Sequence, residues 1–294
     1  MYDEMLIRKK MLKIQERLGM RIGIAYGIKK MPVVKKLEDV LDVLRELYKI
    51  GIKAFVLPME LFSDISSASD LYKEHYGNLL KIKDIASKFN IELSLRHTRL
   101  NDQPDETMKT FCTIASIMDC RTFAVQPSFY SMMPKEQALR LVVYKINEIV
   151  STIRTDCNIS IETTGRTNEL GSLEEVMDIV KRTRGTEPLI NWGHVHARGS
   201  GALSTENDYR KVIEKLRAEI GPYSIQNAYF IFSGVGYGPS GLTRYLPLGQ
   251  SDMNLGYLIK QIMSFGIRGT LIFEDPDREN FIIKIMSELE DLVR

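Results

Sequence analysis

The chain has 294 residues, of which 44% are hydrophobic and 27% are charged, a composition that excludes a disordered or fibrous protein. A formal net charge of +2 creates no overall field for nucleic acid, so any such binding would depend on local Lys and Arg clusters. Three cysteines without a CxxC pair are expected to be buried, reduced thiols, which indicates a cytoplasmic protein. No apolar run reaches about 18 residues, and the charged start lacks the apolar centre of a signal peptide, so no membrane association is expected.

Strand and helix patterns alternate along the whole chain. Residues 1–18 are predicted to form a helical extension. Short apolar or β-branched runs then follow, each of them a predicted strand, at 21–26, 53–58, 91–96, 122–127, 158–163, 188–193, 228–233 and 269–274. Amphipathic helical patterns lie between them. One of these patterns begins at Ser172, and Glu175 three residues later completes a capping-box signature.

This alternation predicts the fold class. Eight strand–helix units are the number found in a closed parallel barrel, and strands that are apolar on consecutive residues are typical of sheets covered on both faces. We therefore predict a (β/α)8 TIM barrel with an extra N-terminal helix, in which 1–18 is the extension and 19–294 is a single barrel domain. An open doubly wound sheet is the alternative, but no GxGxxG motif follows the first strand.

Polar side chains stand where the predicted strands end, which is the end of a TIM barrel that carries the chemistry. Those at strands three to eight are Arg96, His97, Arg99, Gln126, Glu162, Arg166, Asn191, His194, His196, Arg198 and Glu274. Arg244 follows in the long loop after strand seven. A carboxylate buried at such a position is costly unless it meets a cation. We therefore expect Glu162 and Glu274 to bind a metal, to act in catalysis, or to pair with Arg96 or Arg198.

The stretch NWGHVHARGSGALSTENDY, followed by FSGVGYGPSG, LPLGQSD and LIFEDP, resembles the archaeal branch of endonuclease IV. That family belongs to the xylose-isomerase-like barrel superfamily, and the resemblance covers about residues 20–290. It implies a DNA-repair hydrolase that cuts the phosphodiester 5′ to an abasic site with a trinuclear zinc centre. It also implies metal-binding roles for Glu162, His194 and Glu274, with His97 as a further candidate.

The resemblance also shows replaced zinc ligands. Gln126 stands for a histidine on strand four and Asn191 for an aspartate on strand six, while the strand-seven histidine falls near Ile231. An amide oxygen is a weak zinc ligand and an isoleucine is none. We therefore expect the three-zinc cluster to be absent. Either no metal or at most one or two divalent ions (Zn, Mn or Mg) are expected at Glu162, His194, Glu274, His97, Asn191 and Gln126.

Three functions stay open at this point. The first is an endonuclease IV-like hydrolase of abasic DNA, with Glu162, Glu274 and His194 as catalytic residues. Its phosphate-binding residues are predicted to be Arg96, Arg99, Arg166, Arg198, Arg244 and His196. The second is a catalytically inactive paralog that binds DNA or protein. The third is a single-metal sugar isomerase or epimerase, with Glu162 and Glu274 as the acid and base. A monomer is expected rather than an oligomer.

Overall fold

A computed structural model describes residues 4–25, 34, 36–62, 65, 70–97, 100, 105–128, 133–152 and 157–294. The strands are β1 (Met20–Ala25), β2 (Ala54–Pro58), β3 (Glu92–His97), β4 (Thr122–Val125), β5 (Asn158–Glu162), β6 (Thr186–Asn191), β7 (Ala228–Gly238), β8 (Gly241–Leu246) and β9 (Gly269–Glu274). The helices are α1 (Glu4–Leu18), α2 (Leu37–Ile50), α3 (Tyr76–Phe89), α4 (Asp105–Ile117), α5 (Lys135–Thr152), α6 (Leu173–Arg182), α7 (Trp192–Arg198), α8 (Glu206–Ile220), α9 (Tyr223–Gln226), α10 (Leu255–Phe265) and α11 (Glu279–Leu292).

The strands form a closed parallel barrel. Strands β1 to β7 pair in chain order, β7 pairs with β9, and β9 pairs with β1, so the ring has no open edge. This arrangement confirms the predicted (β/α)8 TIM barrel, and each barrel strand lies within a few residues of its predicted position. Strand β8 is not part of the ring, because it runs antiparallel to the end of β7 and forms a hairpin above the barrel.

The helices cover the outside of the barrel as their apolar periodicity predicts. Helix α2 buries Val40, Leu44 and Leu47, and it ends at Gly51, whose φ of 80° suits a residue without a side chain. Helix α1 lies beside the barrel, where Gln15 donates to the Gly51 carbonyl at 2.8 Å. In the described part of the chain, no helix is both long and apolar enough to cross a bilayer. The three cysteines are buried thiols, as predicted.

Alternate residues of each strand point into the barrel. Their side chains differ in chemistry between the middle of the barrel and its two ends. The middle layer is an apolar cluster of Ala25, Ala54, Val56, Ala124, Leu189, Tyr229, Ile231 and Ile272. The floor, where the strands begin, carries Arg121 bound to the Glu187 carboxylate at 2.6 and 2.8 Å. The mouth, where the strands end, carries a second charged cluster, formed by Arg96, Glu162 and Glu274.

Candidate active site at the barrel mouth

A buried arginine occupies the centre of the mouth. Arg96 lies near the end of β3, and its Nε and Nη2 donate to Glu162 Oε2 and Oε1 at 2.8 and 2.5 Å. Its Nη1 donates to Glu274 Oε1 at 2.6 Å. The side chains of Arg96, Glu162 and Glu274 are 5%, 0% and 10% exposed. One guanidinium therefore bridges the two carboxylates that the sequence predicted to need a cation.

The guanidinium sets the charge of its partners. Burial disfavours the ionised carboxyl group of Glu162, but the charge and hydrogen bonds of Arg96 outweigh it and hold the pKa of Glu162 below its ordinary value. Among the described residues, this cluster combines one positive charge with two negative charges. Such a cluster is costly to bury without good hydrogen bonds, and Arg96 supplies them through its planar fork of donors.

Asn191 connects the cluster to the backbone. Its Nδ2 donates to Glu162 Oε1 at 3.0 Å, and its Oδ1 accepts from Ser233 Oγ at 3.2 Å. Oδ1 also accepts from the backbone N–H of His194 at 3.3 Å, so Asn191 caps the N-terminus of α7. The prediction of a strand through Gly193 was therefore wrong at its end, because the asparagine cap starts a helix at Trp192.

Strand β7 reaches the mouth through Ser233 rather than through Ile231. Ser233 is the register partner of Glu274, whereas Ile231 is the partner of Ile272 and lies in the apolar middle layer. Ile231 therefore adds no donor to the mouth, whereas Ser233 places a hydroxyl there. A serine hydroxyl is not among the usual protein ligands of zinc, so the described part of this strand offers no zinc ligand.

His194 is held as a neutral ring. Its Nδ1 lies 2.6 Å from the Thr163 carbonyl, which can only accept, so Nδ1 carries the proton. Nε2 then accepts from the Tyr245 hydroxyl at 2.7 Å. Burial lowers the pKa of His194, the charge of Glu162 opposes this, and the charge of Arg96 adds to it. Burial and the charge of Glu274 raise the pKa of Tyr245, which therefore keeps its proton at neutral pH.

The resemblance placed a replaced ligand pair near Thr243 and Tyr245, but the sequence assigned Tyr245 no role of its own. Tyr245 comes from the hairpin strand β8, which places its hydroxyl against His194 although 42% of the residue is exposed. The GPSG turn before β8 is a hairpin signal that could have revealed this strand. Which residue of the hairpin faces the barrel depends on strand register, which the turn alone does not determine.

The mouth residues that the structure describes do not fit a metal ion. The Arg96 guanidinium stands between Glu162 and Glu274, Asn191 turns its amide nitrogen toward Glu162, and both ring nitrogens of His194 are engaged. Within the described residues, no group of three or more His, Cys, Asp or Glu side chains is arranged to hold a metal.

Two other predicted ligands add no described donor to this set. Gln126 is a buried residue beyond the end of β4, and its backbone carbonyl accepts from Leu100 at 2.9 Å. His97 is the last residue of β3, and its side chain lies outside the described atoms.

The predicted phosphate-binding residues lie in different environments. Arg198 donates to Thr164 Oγ1 at 3.1 Å and lines a cavity of about 450 Å³ outside the barrel. The His196 ring is buried, and both of its nitrogens have protein partners. Its Nδ1 accepts from the Leu203 N–H at 3.1 Å, and its Nε2 donates to Asp252 at 2.9 Å. Arg166 and Arg244 are exposed. Arg99 lies outside the described residues.

Similar proteins share this fold. MJ0133, an uncharacterized protein of Methanocaldococcus jannaschii, is 27% identical over 175 residues, which make up 58% of this chain and 64% of MJ0133. The chain therefore matches less than two thirds of that relative's length. A D-tagatose 3-epimerase-like protein superposes with a TM-score of 0.64 at 15% identity, over 93% of this chain and 98% of that one.

Two further solved structures are similar to the same extent. An AP endonuclease of family 2 from Brucella melitensis gives a TM-score of 0.61 at 13% identity, over 91% of this chain and 98% of that one. The IOLI protein, solved with a bound zinc atom, gives 0.60 at 14% identity, over 93% and 95%. At these identities the superpositions show the fold alone. The family described as xylose isomerase-like TIM barrel matches residues 44–293, so the chain belongs to that family.

Proposed function

We propose that the barrel mouth binds a small hydroxylated carbonyl compound of the sugar class and isomerises it without a metal ion. One observation carries the proposal: two buried carboxylates, Glu162 and Glu274, converge on the single guanidinium of Arg96. Apolar side chains would fill this space at lower cost, so a polar ligand is a reason to keep the cluster. Solved relatives named as sugar epimerases have the same fold, which is consistent with this substrate class.

The two carboxylates are suited to different roles. Glu162 is fully buried, accepts from Arg96 and Asn191, and has a lowered pKa, which makes it a poor base. Glu274 is the more exposed of the two. We assign Glu274 as the base, and we assign Glu162 to hold Arg96 in place. General bases of this kind contribute about 10²–10⁴-fold to a proton-transfer rate.

The reaction then balances as a proton transfer. The Glu274 carboxylate takes the proton from a carbon beside the carbonyl group, and the electron pair moves to the carbonyl oxygen as an enediolate. The positive charge of Arg96 stabilises that oxygen. Glu274 returns the proton to the neighbouring carbon, while a hydroxyl proton passes between the two substrate oxygens. Tyr245 and His194 form a donor and an acceptor 2.7 Å apart that can relay this second proton.

Proton exchange with solvent tests the proposal. Protein treated with EDTA is incubated in D₂O with a panel of ketoses, aldoses and their phosphates, and NMR follows deuterium at carbon. We expect incorporation by the wild type, unchanged by EDTA, and a loss of at least about 100-fold in Glu274→Gln. Glu279→Gln, a buried carboxylate of α11, is the matched control. Exchange that requires an added metal would contradict the proposal, as would the absence of exchange across the panel.

A DNA-binding role is the second candidate. Arg166 and Arg244 are exposed, and Arg166 pairs with Gly241 at the start of β8, so both belong to one surface beside the mouth. Metal-assisted cleavage 5′ to an abasic site, as in the archaeal endonuclease IV branch, requires ligands that the described mouth does not offer. A paralog that binds DNA without cutting it is more consistent with this donor set.

Binding to an abasic duplex tests this second candidate. We expect salt-dependent binding that weakens in the charge-reversed double variant Arg166→Glu, Arg244→Glu. The exposed double variant Arg210→Glu, Lys260→Glu, on α8 and α10, is the control. Binding that is equal in both double variants, or metal-stimulated nicking of the duplex by the wild type, would overturn it.

A further inference from the structure

We infer that Arg96 is an internal replacement for a divalent metal, and that the mouth contains a latent metal site which its guanidinium blocks. The inference goes beyond the proposed function and does not depend on it, because it concerns which cation the carboxylates can hold. It rests on the geometry of Arg96, Glu162, Glu274 and Asn191.

The guanidinium fills the space that a shared metal ion would need. The guanidinium contacts both oxygens of Glu162 and one oxygen of Glu274 at 2.5 to 2.8 Å. A metal ion shared by these carboxylates would lie about 2.0–2.2 Å from the same oxygens. The two cations would therefore occupy the same space. Their positive charges would also repel each other in a site that water screens poorly.

Asn191 matches the charge of the guanidinium rather than that of a divalent metal. With Arg96 in place, one positive and two negative charges leave the described cluster at −1. A divalent ion with three carboxylates would also leave −1. An aspartate at position 191 would therefore suit a metal, whereas an asparagine suits the guanidinium. Asn191 donates at 3.0 Å to Glu162, which also accepts from Arg96. The arginine and the asparagine together therefore give the described cluster the same net charge as a metal with a third carboxylate.

Removing the Arg96 side chain would leave space for a metal ion in front of Glu162. Asn191 Nδ2 and Arg96 Nη2 approach the same oxygen, Glu162 Oε1, at 3.0 and 2.5 Å. Truncating Arg96 opens the volume in front of Glu162 Oε1. An aspartate at position 191 would then direct an anionic oxygen into this volume. The carboxylates at 162, 191 and 274 would then surround one cavity, with water completing the coordination shell as Mg²⁺ and Mn²⁺ commonly require.

Metal uptake without substrate tests the inference. Wild type and the double variant Arg96→Ala, Asn191→Asp are equilibrated with MnCl₂, desalted and measured by EPR and elemental analysis. We expect less than about 0.1 Mn per chain in the wild type and about one per chain in the double variant. We also expect Mn²⁺ to raise the Tm of the double variant alone, since a ligand that binds only the folded state stabilises it.

Matched variants locate the site. Asn191→Asp alone keeps the guanidinium and is expected to stay free of metal, with a lowered Tm that Mn²⁺ does not restore. Adding Glu274→Gln to the double variant removes one direct ligand. We expect this to weaken Mn²⁺ binding by at least tenfold, because even the loss of an outer-shell partner typically costs about 10–100-fold. Circular dichroism with and without Mn²⁺ reports whether each variant is folded.

Two results would overturn the inference. One is a wild-type protein that retains about one Mn per chain with Arg96 present. The other is a folded double variant that binds none. If the double variant is unfolded both with and without Mn²⁺, the wild type and the single variant Asn191→Asp still test the inference. Metal uptake by either of these proteins contradicts a blocking guanidinium. Failure of the sugar-exchange assay would leave these outcomes unchanged, so the two proposals fail separately.

Discussion

The two ends of the barrel each pair arginine with glutamate, but in different proportions. At the floor, Arg121 binds Glu187 and Arg21 lies 3.7 Å from Glu92, so two cations face two carboxylates. At the mouth, among the described residues, Arg96 alone bridges two carboxylates.

This difference indicates different roles. A balanced cluster at the beginning of the strands serves stability, which is the usual role of that face in a TIM barrel. Among the described residues, the mouth keeps a net negative charge, which is consistent with a polar ligand at that end.

The largest effect is expected from Arg96→Ala. The substitution leaves Glu162 and Glu274 buried without the guanidinium, and breaking a buried pair in this way costs about 3–5 kcal/mol. Urea denaturation followed by circular dichroism measures the change in the free energy of unfolding. The exposed Arg244→Ala is the control and should change little. A loss below about 1 kcal/mol for Arg96→Ala would mean that the mouth cluster is solvated rather than buried.

A smaller loss is expected from Arg121→Ala at the floor. Its partner Glu187 is 19% exposed and also accepts from Ser160 Oγ at 2.8 Å, so water and the hydroxyl compensate in part. We expect a loss of about 2 kcal/mol, in the range of one hydrogen-bonded charge. The same denaturation experiment compares the two ends directly. A larger loss at the floor than at the mouth would reverse the ranking.

Acid should affect the two ends with opposite sign. The pKa of Glu162 is lowered in the fold, so its contribution to stability is present above the unfolded carboxyl pKa and is lost as pH falls through the folded one. Burial raises the pKa of Glu92, while Thr270, Arg121 and Arg21 oppose this, so its ionisation reduces stability as pH rises above the unfolded pKa.

Denaturation between about pH 3 and pH 7 measures this contrast. Glu162→Gln should flatten the acid limb of the stability curve, because it removes a group that loses its contribution on protonation. Glu92→Gln should steepen that limb, because it removes the opposing group. Parallel curves for the two variants would show that neither carboxyl group is shifted as its environment indicates.

The smallest effect on stability is expected from Tyr245→Phe, which removes one hydroxyl from a half-exposed hairpin residue. We expect less than about 1 kcal/mol of destabilisation. If the proposed reaction occurs, its exchange rate should fall about 100-fold, because the partner of His194 is lost. An unchanged rate in a folded variant would remove Tyr245 from the mechanism. Tyr144→Phe, at a tyrosine that is 67% exposed, serves as the control.

Residues that act through local patterns were predictable. Apolar runs located the barrel strands, and the capping box at Ser172 and Glu175 correctly placed the start of α6. The short helix α7 was not predicted, since it begins at Trp192 and Gly193, which are weak helix formers, and depends on the Asn191 cap. The roles of the candidate site residues in DNA binding or catalysis stay predictions.

By itself, the sequence determined which side chains stand at the strand ends. Apolar runs and their ends are local patterns, so a few neighbouring residues are enough to recognise them. The sequence also showed that Glu162 and Glu274 would need a cation. Only the tertiary structure decided which cation they meet, since Arg96 lies 66 positions from Glu162 and 178 from Glu274. Closure of the barrel brings these three strand ends together, and the reach of the arginine side chain then places its guanidinium between the two carboxylates.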